Sequence, residues 1–158
     1  WFPPRMFTSY AYVAIAVGSA LLVFLDACIR REHYRQNRDK LDSVVNVFDA
    51  LGLGVFTVSG VQMAIDQYGM GNPFLLVLMG MTTGVGGGML RDVLIDAMPK
   101  VLRKRIYAVA SIVGAIGYYL LLRFGVDQTL STIIITVLIT ALRILATVFK
   151  WNMPQAKL

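Results

Sequence analysis

Residues Thr82 to Asp92 read TTGVGGGMLRD: four glycines within five positions, then an arginine and an aspartate, in a run that otherwise has the composition of a membrane-spanning helix. Glycine costs about 1 kcal/mol relative to alanine in a helix, so Gly84, Gly86, Gly87 and Gly88 weaken the span at its centre. The expectation is a kink or an unwound turn. Backbone groups freed there must face protein or water, because hydrocarbon cannot satisfy them. The break would leave two half-helix ends near the midplane, with opposite partial charges suited to ions or zwitterions. The alternative is that small residues only let helices approach closely, as Ala110/Gly114 and Ser111/Ala115 are placed to do. A dinucleotide fingerprint starting at Gly84 would need glycine at Met89, and the Gly-Lys-Ser/Thr ending of a phosphate loop is missing.

The rest of the chain agrees with a membrane setting. Its 158 residues are 57% hydrophobic and 15% charged, with a mean hydropathy of +0.66, too apolar for a soluble domain of this size. Five apolar runs approach the roughly 20 residues that cross hydrocarbon, at about 8–28, 44–66, 73–98, 106–124 and 129–149. The runs are continuous, not alternating, which excludes a β-barrel. Asp42 or Ser43 is placed to cap the second span, YGMGN makes a tight turn, Asn72-Pro73 opens the third span and Pro99 closes it. One all-helical bundle of antiparallel neighbours follows, since most connections are short.

A net charge of +6 and a pI near 9.7 could point to nucleic acid, but the basic residues gather in loops. Arg30, Arg31, Arg35, Arg38, Lys40, Lys100, Arg103, Lys104, Arg105, Lys150 and Lys157 fall on one side of an alternating path, against Arg5 and Arg123 on the other. That asymmetry predicts a cytoplasmic C terminus. The clusters can also meet anionic lipid headgroups. Cys28 is the single cysteine and His33 the single histidine, so neither a disulfide framework nor a metal site is expected, and no nucleophile–base grouping points to an enzyme. No cofactor is implied. Trp1 in place of an initiating methionine reads as a piece of a longer protein, with no cleavable signal peptide.

At 1.5 Å per residue, Asp49 lies about 9 Å inward of its span's midpoint, Arg91 about 7–8 Å and Arg143 about 6 Å, with Asp92 beside Arg91. Four charges thus converge on one layer. Each would cost about 2.5–3.5 kcal/mol alone, so pairing or a wet cavity is required, and Asp49 with Arg91 is the expected pair. Asp49, Gly52, Phe56 and Ser59 form a stripe on the second span, as do Thr132, Thr136, Thr140, Arg143 and Thr147 on the fifth. The candidate pore-lining or substrate-binding residues are therefore Asp49, Gly52, Phe56, Ser59, Thr82, Thr83, Gly84, Gly86, Gly87, Gly88, Arg91 and Asp92, with Arg143 and Thr140 as contributors.

The segments Asp49–Gly60 (DALGLGVFTVSG), Thr83–Leu94 (TGVGGGMLRDVL) and Lys104–Ala115 (KRIYAVASIVGA) resemble the prokaryotic members of the TRIC family of trimeric intracellular cation channels, sequences also described as glycine transporters. The resemblance implies inverted three-helix repeats plus a final helix, with a pore in each protomer of a homotrimer. By that likeness residues 1–42 hold the last helix of an incomplete first repeat and a basic loop, 43–126 the second repeat with its glycine-broken helix, and 127–158 the final helix and tail. It implies an integral, multi-pass protein of the prokaryotic plasma membrane that passes monovalent cations, with potassium the expected ion. Carriage of glycine or another small zwitterion is the alternative.

Overall fold

The computed structural model describes residues 10–29, 38–96, 98–99, 101 and 106–149. The basic clusters at Arg30–Arg35, Lys100, Arg103–Arg105, Lys150 and Lys157, together with Arg5 and His33, lie outside them. The described residues form five helices: α1 (Tyr10–Ile29), α2 (Arg38–Tyr68), α3 (Pro73–Leu94), α4 (Ile106–Arg123) and α5 (Gln128–Val148). Among these residues there is no strand. Three stretches are long and apolar enough to cross a membrane, Ser43–Tyr68, Pro73–Leu94 and Gln128–Val148, and two shorter apolar helices, Val13–Asp26 and Tyr107–Arg123, accompany them.

The chain divides into two units, 1–43 and 44–158. In the first, α1 is apolar and exposed along nearly all its length, and its Ser19 hydroxyl is satisfied within the helix by the carbonyl of Ala16 at 3.0 Å. The core and the site lie in the second.

Two caps place helix starts where the sequence has short polar side chains. The Asn72 side chain accepts from the Leu75 amide at 3.2 Å ahead of Pro73, as expected. Asp127 does the same for α5, accepting from Thr129 at 2.8 Å. The expected cap at Asp42 or Ser43 is not used: both lie inside α2, which is already helical at Arg38. α3 ends at Leu94, short of the expected 98, because Asp96 turns to a positive φ of 54° before Pro99 is reached.

The unwound turn expected within TTGVGGGMLRD does not occur. α3 is helical without interruption from Pro73 to Leu94, and none of Gly84, Gly86, Gly87 or Gly88 adopts a positive φ. In a low-dielectric surround each backbone group released from the helix costs several kcal/mol, more than the propensity of each glycine takes away. The glycines instead set how closely helices meet. A side chain at Gly80 would strike Val61 of α2, with Ala115 of α4 close by, and one at Gly84 would strike the Thr57 hydroxyl. On α4, Gly114 leaves room for Ile139 of α5, and Gly54 of α2 faces the Thr136 backbone, 3.0 Å from where a Cβ would sit. The core filled this way holds Leu53, Val61, Leu76, Ala115, Tyr118 and Ile139, all essentially without solvent contact.

Candidate permeation site

α2 and α3 run antiparallel, and their contacts fix the register. Val61 meets Gly80, Thr57 meets Gly84, and Asp49 meets Arg91, in that order along the pair. The middle contact is closed by a polar pair: the hydroxyls of Thr57 and Ser111 lie 2.8 Å apart, both fully buried, joining α2 to α4 directly over Gly84. Sequence reading missed Thr57. Its signal was present, since Leu53, Thr57, Val61 and Ala64 recur at helical spacing, but a threonine among aliphatic residues reads as one more apolar position.

At the charged end, all four charges foreseen from depth come together. Arg91 donates through Nη1 to Asp49 Oδ1 at 2.8 Å, and through Nη2 and Nε to Asp92 Oδ1 at 2.7 and 3.0 Å. Arg143 donates through Nη2 to Asp49 Oδ2 at 3.1 Å. Among the described residues the layer sets two carboxylates against two guanidiniums. It is also lopsided: the side chains of Asp49, Asp92 and Arg143 are 4 to 5% exposed, whereas that of Arg91 is 37% exposed. Charges this deep need such mutual satisfaction, because desolvating an unpaired one costs several kcal/mol. The Arg143 guanidinium also lies 4.3 Å over the Tyr107 ring of α4, a stacked cation–π arrangement. Tyr107 lies in the segment Lys104–Ala115 but is not among the candidate site residues read from the sequence.

The remaining candidates separate by face. Gly84 and Gly88 are packed, the first beneath Thr57 and Ser111, the second beneath the Tyr107 hydroxyl. Neither lines open space. Gly86 and Gly87 meet nothing within 4 Å among the described residues. Thr83, Gly87 and Arg91 follow at four-residue steps and so share a stripe of α3, while Thr82 and Gly86 lie on the next stripe round. On α2, Phe56 and Ser59 are exposed and Gly52 half-buried, on the flank of the helix whose edge Asp49 occupies. Thr82 and Thr83 return their hydroxyls to carbonyls one turn back, at 2.9 and 2.7 Å, and Thr140 does so to Thr136 at 2.7 Å, so the threonine stripe on α5 largely serves its own helix.

These geometric features coincide with matches to known proteins. A family model described as Glycine transporter matches residues 46–123, from α2 to the end of α4. UPF0126 inner membrane protein YadS of Escherichia coli K12 is 45% identical over 82 residues, covering 52% of this chain and 39% of YadS. UPF0126 membrane protein YvgT of Bacillus subtilis is 30% identical over 147 residues, covering 92% of this chain and 66% of YvgT. Among solved structures, a prokaryotic TRIC channel in 0.5 M KCl superposes with a TM-score of 0.79 at 28% identity, over 96% of this chain and 72% of that one. The TRIC trimeric intracellular cation channel orthologue from Rhodobacter sphaeroides gives 0.77 at 29%, over 94% and 72%. The chain belongs to the prokaryotic TRIC family. It is a helical membrane protein of that fold.

This TRIC-family chain spans about four-tenths of the length of YadS and about two-thirds of that of YvgT. The matched segment begins three residues before Asp49 and includes Arg91, Asp92 and Tyr107, so three of the four helices that build the charged layer belong to the family match. Arg143 lies beyond its end.

Proposed function

We propose that this chain forms part of a permeation pathway for monovalent cations, with potassium the expected ion, along the flank where Gly52, Phe56 and Ser59 of α2 adjoin Thr83, Gly87 and Arg91 of α3. The observation that carries the reading is a strip without side-chain bulk at Gly87 that ends on a half-exposed arginine neutralised by Asp49 and Asp92. A cation passing such a layer meets neither a naked positive charge nor a deep carboxylate well, and conduction needs binding that is favourable yet weak. The solved relatives named as TRIC cation channels support it. The pathway does not use carbonyls freed by an unwound helix, since α3 has none to offer there.

By the same family likeness, α2 to α4 act as the second three-helix repeat and α5 as the final helix, in a homotrimer of the bacterial plasma membrane. The excess of basic residues on one side of the path supports a cytoplasmic C terminus.

Transport of glycine or another small zwitterion is the second reading, favoured by the description of the matching family model. Its carboxylate cannot meet a half-helix end at Gly88, which is packed under Tyr107. Arg91 is the group left to receive it. The purified protein in planar bilayers under KCl separates the readings. Discrete potassium currents, reduced at least several-fold by Gly87→Leu in a protein that still folds, support the cation pathway. Saturable glycine uptake by liposomes without current steps overturns it in favour of the carrier.

A further inference from the structure

Of the two arginines in the described layer, Arg143 is the one that the open flank does not reach. Its residue exposure is 3%, and its Nε–H has no protein partner among the described residues. A buried guanidinium with an unmet donor is unfavourable unless its charge is needed where it stands. What it touches are Asp49 Oδ2, at 3.1 Å, and the face of Tyr107, at 4.3 Å. Tyr107 fits there because residue 88 is glycine: a Cβ at that position would strike its hydroxyl. Four helices therefore meet at this point, α2 with Asp49, α3 with Gly88 and Arg91, α4 with Tyr107 and α5 with Arg143.

The two oxygens of Asp49 are shared between arginines in different settings. Oδ1 takes the half-exposed Arg91, and Oδ2 takes the buried Arg143. We propose that Arg143 is a positioning residue that sets the charge balance of the permeation layer from its dry side: stacked on Tyr107, it holds the far oxygen of Asp49 and offsets a carboxylate charge beside the path. This rests on the cation-pathway reading for its functional consequence, though not for the clamp itself. Arg143 lines nothing. It acts through Asp49, and Asp49 presents Arg91.

Charge balance makes a prediction that packing alone does not. Arg143→Met makes the layer one charge more negative than in the wild type, and Asp49→Asn makes it one charge more positive. The double variant restores the wild-type charge. Measured as the reversal potential of the purified protein in bilayers across a KCl gradient, Arg143→Met shifts toward stronger cation preference and Asp49→Asn toward weaker. Asp49→Asn/Arg143→Met lies closer to wild type than either single variant. Arg143→Lys, which keeps the charge, stays nearer to wild type than Arg143→Met.

Shifts of the two single variants in the same direction, a double variant with the summed defect, or Arg143→Lys as impaired as Arg143→Met each overturn the proposal. If the wild-type protein passes no potassium current, it is the permeation reading that has failed. Thermal unfolding in detergent of the wild type, Asp49→Asn, Arg143→Met and the double variant then reads the clamp on its own. A double variant less destabilised than the sum of the singles supports it, and additive losses refute it.

Discussion

Along α3 the glycines of one short run divide by face. Gly84 and Gly88 are pressed against Thr57, Ser111 and Tyr107, while Gly86 and Gly87 meet nothing within 4 Å among the described residues. The same residue type thus answers two different demands one turn apart. On the packed face glycine is required because a methyl group has nowhere to go, and the close approach it permits brings Asp49, Arg91, Asp92 and Arg143 into one layer. On the open face it leaves an absence of bulk, and the helix carries the propensity cost without unwinding. Glycine density in a membrane helix is therefore not by itself a sign of a break. Which neighbours each glycine meets decides its meaning.

The largest effect should come from the layer that the packed face holds together. Asp49→Ala removes an acceptor shared by Arg91 and Arg143 and leaves Arg143 buried without an ion-pair partner among the described residues. Breaking a buried pair from one side costs about 3–5 kcal/mol, a large share of the roughly 5–15 kcal/mol that holds a typical domain folded. Thermal unfolding in detergent checks this, with Asp66→Ala as the comparison, since Asp66 is exposed and accepts from Gln62 of its own helix at 2.7 Å. Equal losses in the two variants would show that the layer contributes nothing beyond a surface contact.

Next in size is Gly84→Ala. The added methyl runs into the Thr57 hydroxyl and comes close to Ser111, so the 2.8 Å pair must open or the helices must part. Overpacking of this kind costs about 1–3 kcal/mol. Gly84→Ala combined with Thr57→Ala relieves the clash but leaves Ser111 unpaired, so it should recover only part of the loss. Full recovery would mean that the Thr57–Ser111 hydrogen bond carries no weight.

What could be read beforehand follows from the same division. Helix existence was legible because 20-residue apolar runs have one solution in hydrocarbon, and the charged layer was legible because depth follows from 1.5 Å per residue. Asp49, Arg91 and Arg143 were placed at one level by that count alone, and the structure joins them. The count is blind to azimuth between helices. It could not say that Arg143 turns inward while Arg91 stays half exposed, or that Tyr107 lies between α3 and α5. Nor could it sort the glycines. Propensity scales measured in water overweight the glycine penalty relative to the backbone hydrogen bonds that a membrane enforces, and the expected unwound turn followed from that imbalance.

The smallest effects are expected on the open face, where they are also the most informative. Gly86→Ala and Gly87→Ala each exchange a flexible residue for the best helix former at a position where a Cβ meets nothing, so each should stabilise the protein by up to about 1 kcal/mol. A rise in the unfolding midpoint for both checks that step, and a fall for either would show that its face is covered in the assembled protein. Their transport effects should diverge, because Gly87 shares the stripe of Thr83 and Arg91 while Gly86 lies on the next one round. A methyl at residue 87 narrows the proposed path and lowers single-channel conductance. The same methyl at residue 86 leaves conductance where it was. Equal conductance losses from the two substitutions would move the path off the α2–α3 flank, because no single stripe of a straight helix contains both positions.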